Sequence, residues 1–128
     1  MTRRSTRKFG NEKCEANGHK FDSQRERDRY LELILLERAG EIANIELQPK
    51  YPLTIQALVD GRLTGVDIKI RSKRYPNGRR CSWRADFRYQ DKRTGEQIVE
   101  DVKGFDDTAA RFKRAVVEAI FGIEIRLV

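Results

Sequence analysis

Apolar residues along this chain switch between a helical and a two-residue rhythm, and the switches delimit its elements. From Ser23 to Ala39, the residues Tyr30, Leu31, Leu33, Ile34, Leu35 and Leu36 cluster at helical spacings and Gly40 follows as a stop, which predicts a first core helix. Ser23-Gln24-Arg25-Glu26 reads as its capping box, with Glu26 reaching back to the cap's backbone N–H. Ile42 to Leu58 predicts one or two strands, with Pro49 and Pro52 at a bend or an edge. Asp60-Gly61 signals a turn, after which Val66, Ile68 and Ile70 alternate with Asp67, Lys69 and Arg71 as in a half-buried strand. Tyr75-Pro76-Asn77-Gly78 turns the chain again toward Cys81, so residues 62 to 90 are expected to form one basic hairpin.

Trp83 to Tyr89 and Gln97 to Gly104 are two β-type runs joined by a polar turn through Thr94-Gly95-Glu96, a second antiparallel hairpin. Beyond it, Asp106 or Asp107 can cap a helix whose Phe112, Ala115, Val116, Ala119 and Ile120 share the inward face, leaving Arg111, Arg114 and Glu118 on the other side. Gly122 ends that helix, and Ile123, Ile125 and Leu127 alternate in a closing strand. Strand, helix and strand make a βαβ unit, so the last strand should lie parallel to the strand before the helix, through a right-handed crossover. An α/β fold with a mixed sheet, an antiparallel meander and two flanking helices follows.

The 128 residues suffice for one domain with a real core and are too few for two. Met1 to Lys20 carries almost no apolar side chain, so residues 1–20 are expected to be a flexible basic arm and residues 21–128 the single domain. Charge sharpens this picture. The net charge is +7, and eleven basic against three acidic residues fall between Arg62 and Arg93. A local excess of that kind points to a polyanion, most simply nucleic acid, with a solubilising surface as the bland alternative. The candidates for phosphate contact are Arg71, Lys73, Arg74, Arg79, Arg80, Arg84 and Arg111, with Tyr75 or Trp83 either stacking on bases or packing in the core. No apolar run approaches membrane-spanning length, and the two cysteines, Cys14 and Cys81, suit reduced thiols in a cytoplasm. Cys14 and His19 have a ligand-like spacing, but a structural zinc site wants four ligands and Cys81 supplies at most a third.

The chemistry-bearing residues sit on the second hairpin. Asp86 lies on its first strand and Asp101 and Lys103 on its second, where two-residue spacing projects them to one face. Carboxylates about 4 Å apart repel by roughly 4 kcal/mol at an effective dielectric of about 20, so a site gathering them in an apolar hairpin needs a cation, and a divalent metal held by oxygens would supply it. A lysine beside that metal would orient a water or stabilise charge on a phosphate.

Asp86 followed by Asp101-Val102-Lys103 resembles the catalytic core of the PD-(D/E)XK nuclease superfamily, an acid on one strand and an acid-x-lysine on the next. Phe21-Asp22-Ser23-Gln24-Arg25-Glu26, Leu36-Glu37-Arg38-Ala39-Gly40-Glu41-Ile42, Glu46-Leu47-Gln48-Pro49, Ala85-Asp86-Phe87 and Val99-Glu100-Asp101-Val102-Lys103-Gly104 extend the likeness over roughly residues 9 to 128. Together they resemble a family of small phage or prophage endonucleases grouped with these enzymes and related to phage Holliday-junction resolvases of DNA recombination. The basic segment between about Asp60 and Arg80 is longer than that pattern.

The resemblance implies a restriction-endonuclease-like core and a Mg²⁺- or Mn²⁺-dependent DNA endonuclease acting in the cytoplasm of a bacterial host. Asp86, Asp101, the backbone carbonyl of Val102 and Glu26 would hold metal, and Lys103 would position the attacking water. Glu26 has two readings, the metal-facing acid on the first helix and a capping residue alone. Gln48 is either near the metal or a plain edge-strand amide. The resemblance further implies a homodimer selecting branched DNA. A non-catalytic nucleic-acid-binding module, with Asp86 paired to Arg84 or Arg88 and Asp101 to Lys103, is the alternative.

Overall fold

The computed structural model describes residues 14–102 and 107–128. Cys14–Ala16 (β1) and His19–Phe21 (β2) pair antiparallel around Asn17-Gly18, both with positive φ, and lead into Gln24–Arg38 (α1). The arm expected to run to Lys20 therefore ends earlier, because Phe21 is buried against Tyr30 and anchors the ribbon to α1. Ile42–Leu47 (β3), Lys50–Pro52 (β4), Thr54–Val59 (β5), Arg62–Asp67 (β6), Lys69–Ile70 (β7), Arg79–Arg80 (β8) and Ser82–Arg84 (β9) follow. Phe87–Asp91 (β10), Gln97–Asp101 (β11), Thr108–Phe121 (α2) and Ile125–Leu127 (β12) close the chain.

The expected α/β class holds, with a mixed sheet and two helices. Its four-stranded sheet has the order β12-β11-β10-β3, antiparallel from β3 through β11 and parallel between β11 and β12. Alternation along β11 shows why it needs cover on both sides. Ile98 joins Phe21, Tyr30, Leu33, Ile42, Phe87 and Tyr89 in a core under α1, whereas Val99 joins Tyr51, Leu53, Trp83, Ala85, Val117 and Ile125 on the α2 side.

Both helix starts follow the sequence reading. Ser23 Oγ accepts the Glu26 backbone N–H at 3.2 Å, and Asp107 Oδ1 accepts that of Ala110 at 2.7 Å. At the far end of α1, Gly40 takes φ 78°, a left-handed turn that a side chain would strain.

Helix α2 differs from its expected face. Val117 is fully buried, Arg114 is 9% exposed and Phe112 is 69% exposed. The inward face is thus rotated from the one the apolar spacing marks, because two charged residues are drawn inward by partners. Arg114 Nη1 lies 3.9 Å from Asp101 Oδ2, and Glu118 Oε2 accepts the Ile125 N–H at 3.1 Å.

The segment from Thr54 to Arg84 also departs from expectation. One hairpin over 62–90 was anticipated, but three ribbons form, β4 with β9, β5 with β6 and β7 with β8. They part at a cyclic set of backbone bonds in which Leu53 donates to Cys81, Cys81 to Ile68 and Ile68 to Leu53, at 2.9, 2.8 and 2.9 Å. Each of the three thus satisfies a donor and an acceptor while its strand changes partner. Consequently β6 is exposed throughout rather than half-buried, and Leu58 and Leu63 face each other near the tip of the β5–β6 ribbon at 72% and 71% exposure. Among the described residues, no helix is long and apolar enough to cross a membrane.

Candidate metal and nucleic-acid site

The site grows from a break in strand alternation. β9 pairs with β4 and β10 with β3 and β11, and the chain bends at Asp86 between them. Backbone bonds pin that bend on both sides. The Asp86 N–H donates to the Glu100 carbonyl at 3.2 Å, and the Asp86 carbonyl accepts from the Gln48 N–H at 2.9 Å. Asp86 Oδ2 accepts the Val102 N–H at 2.7 Å, which ties the first acidic position to the strand carrying the second.

From the other side, the first turn of α1 brings Glu26. Its backbone N–H serves the Ser23 cap, while its carboxyl is hydrogen-bonded to Asp86 and to the backbone at Asp22. Burial, the Asp86 hydrogen bond and the neighbouring charges of Asp86 and Asp22 push the Glu26 pKa up to about 8, against a backbone hydrogen bond at Asp22 that lowers it. A carboxyl held protonated beside another acid ionises when a cation joins the pair.

They line a cavity of about 160 Å³ together with His19, Lys20, Phe21, Leu47, Gln48 and Phe87. Gln48, the residue assigned either to the site or to an edge, thus belongs to the cavity lining, and a positive φ of 52° marks its bend between β3 and β4. His19 and Lys20 were missed by the sequence reading, having been assigned to the arm. The Asn17-Gly18 turn between Cys14 and Phe21 was the available signal, since Asn-Gly favours two-residue hairpins.

Asp101 is placed differently. Continuing the β10–β11 register by one position sets Asp86 opposite Asp101, but the Asp101 carboxylate is also within 3.9 Å of Arg114 on α2. Among the described residues, no group of three or more His, Cys, Asp or Glu side chains is disposed to hold a metal ion. Lys103 lies outside the described residues. The donor chemistry of the Glu26–Asp86 pair nonetheless fits a hard divalent cation, with two carboxyl groups and the Gln48 amide lining one cavity and Asp101 at the strand position opposite Asp86.

Behind this pair stands a buried brace. Glu100, 1% exposed, accepts from Arg29 Nε at 2.9 Å and from Arg29 Nη2 at 2.5 Å, and from the Tyr89 hydroxyl. The Glu100 bond raises the Arg29 pKa, and burial with the Glu100 bond pushes Tyr89 up to about 12. Arg29 is one turn beyond Glu26 and Glu100 immediately precedes Asp101, so this bidentate pair fixes α1 against β11 beside the acids.

The basic candidates fall into three places. Arg71, Lys73 and Arg74 are exposed in the loop between β7 and β8, and Arg79 and Arg80 form β8 itself. Arg79 stacks over Tyr75 with its guanidinium 5.2 Å from the ring centre, and Arg80 lies 3.7 Å from Asp67. Arg84 and Arg111 are exposed on β9 and α2. Trp83, by contrast, packs in the core beside Tyr51, and Arg88 bonds to Glu46 and the Tyr51 hydroxyl.

A mixed α/β domain with an acidic cavity where the first helix meets the central hairpin is the class these observations define. The chain belongs to the family described as "Protein of unknown function (DUF1064)", whose match covers residues 6–127. No curated protein and no solved structure matches it.

Proposed function

We propose that this protein is a metal-dependent DNA endonuclease of the PD-(D/E)XK kind that hydrolyses phosphodiester bonds. The observation that carries the reading is the Glu26–Asp86 carboxyl pair, two acids from different elements brought into one cavity with the Asp86 carboxylate tied to the Asp101-Val102 strand. A stable fold gains nothing from pressing two ionised carboxylates together, and their cost is understandable if a cation is their partner. The order of α1, a β3–β10–β11 antiparallel sheet, α2 and a parallel β12 supports the same reading.

Asp86, Asp101 and the Val102 carbonyl would hold Mg²⁺ or Mn²⁺, with Glu26 holding a second ion or the attacking water. When bound, the metal would offset charge on the scissile phosphate and lower the pKa of a water. The protein's own contribution is orientation. Glu26 and Asp86 are fixed by the cap of α1 and the bend at 86, and the Arg29–Glu100 pair holds the two elements together. Lys103 would position the water. The exposed arginines of the β7–β8 ribbon would contact phosphates, which positions DNA without reading its sequence. Selection of branched DNA by a homodimer follows if two sites must cut across a two-fold junction.

The Asp101–Arg114 ion pair favours a second reading, a binding module in which Asp101 is structural. The test separating the two is cleavage of linear, nicked, forked and four-way DNA in Mg²⁺ or Mn²⁺. EDTA-sensitive cutting supports the nuclease, and binding with no cutting in either metal supports the module.

A further inference from the structure

The acidic cavity presents a difficulty for any phosphodiester, because an anion must approach two carboxyl groups. Metal supplies part of the compensation. Among the described residues lining the cavity, His19 and Lys20 are the basic ones, and both come from the β1–β2 ribbon. Their placement is built rather than incidental. The Asn17-Gly18 turn and the register Glu15↔Lys20 and Ala16↔His19 set them on β2 as neighbours facing opposite sides of the ribbon, with His19 on the side of Phe21, which is buried against Tyr30. His19 packs edge-on against Tyr30, with ring centres 5.6 Å apart, so its ring is held by a residue of α1. Both side chains remain exposed, as a contact to incoming backbone requires.

We infer that the β1–β2 ribbon is the phosphate-binding side of this site, with His19 and Lys20, on its two faces, donating to non-bridging oxygens of phosphates beside the reacting one while Glu26 and Asp86 hold the metal. This rests on reading the cavity as a phosphodiester site. It assigns the β1–β2 ribbon a role in substrate binding, separate from the arginines of the β7–β8 ribbon. A basic group that touches a single phosphate beside the reacting one should affect turnover as well as affinity, whereas a distant surface charge should affect affinity weakly and turnover not at all.

The experiment uses the full chain, a labelled four-way junction and a labelled duplex of equal length. Affinity is measured in EDTA across a salt series and cleavage in Mg²⁺. Lys20→Met keeps the aliphatic stem, His19→Phe keeps the ring against Tyr30, and Lys92→Met removes one charge at the far end of β10. Lys20→Met and His19→Phe should each lower kcat/KM by about ten- to a hundredfold, and Lys20→Met should reduce the log–log salt slope by about 0.9. Lys92→Met should change kcat/KM by less than about twofold. Equal losses in Lys20→Met and Lys92→Met would overturn the inference, leaving only the general field of a basic protein. If the wild type binds DNA but cuts none, hydrolysis fails while the inference is still decided by affinity. Weakening by Lys20→Met beyond Lys92→Met then supports it and parity overturns it. Wild-type protein that binds neither DNA overturns both.

Discussion

The carboxyl groups of Glu26 and Asp86 share a hydrogen bond between the first turn of α1 and the bend that precedes β10. That contact turns a metal hypothesis into a statement about stability. Glu26 has its folded pKa raised to about 8 from its ordinary value of 4.5, so the folded state binds its proton more tightly than the unfolded state does. Its stabilising contribution is complete below the unfolded pKa and is lost as pH rises toward the folded one.

In metal-free buffer, Glu26→Gln should therefore match the wild type near pH 4 and exceed it at pH 8. The gain should be about 1–2 kcal/mol, reduced from the full linkage because the cavity opens to solvent. Urea unfolding at the two pH values checks this. A glutamine variant less stable than the wild type at pH 8 would mean that the Glu26 carboxylate serves the fold, as a capping residue would.

The Arg29–Glu100 pair makes a contrasting prediction. Arg29→Met leaves a fully buried carboxylate to which the Tyr89 hydroxyl still donates, and should cost about 3 kcal/mol. Tyr89→Phe removes one bond from a carboxylate still held by Arg29 and should cost about 1–2 kcal/mol. Thermal or denaturant unfolding at pH 7 checks the order. Equal effects would mean that the brace is not what fastens α1 to β11.

Much of this arrangement was legible from local chemistry. Ser23 and Asp107 cap their helices, the Thr94-Gly95-Glu96 turn joins β10 to β11, and β12 runs parallel to β11, because caps, turns and crossovers depend on a few adjacent residues. What escaped depends on partners distant in sequence. The face of α2 was misplaced because Arg114 is buried beside Asp101 and Glu118 reaches the backbone of Ile125, and an apolar count cannot register charges drawn inward. The branching at Leu53, Ile68 and Cys81 is likewise a non-local set of bonds. In the site, Glu26, Asp86 and Gln48, candidates from the sequence, line one cavity. His19 and Lys20 were overlooked because their polar surroundings hid a hairpin anchored by the single residue Phe21.

Binding to nucleic acid should weaken steeply with salt. Neutralising about five phosphates implies a log–log slope near −4.5. Anisotropy titrations on duplex and four-way junction between low and physiological salt measure it, and a slope near zero would point away from nucleic acid.

Sedimentation addresses the proposed two-fold assembly. A homodimer that cuts the four-way junction in preference to the duplex is the expected result. A monomer that cuts both equally would leave a nonspecific or nicking nuclease.

Metal held by Asp86 and its neighbours for DNA cleavage is tested by Mg²⁺- or Mn²⁺-dependent cutting by wild type, Asp86→Asn, Asp101→Asn and Lys103→Ala, paired with DNA affinity in EDTA. The wild type should cut in an EDTA-sensitive manner, both aspartate variants should lose cutting with binding retained, and Lys103→Ala should turn over slowly. Full cleavage by Asp86→Asn would contradict this metal role.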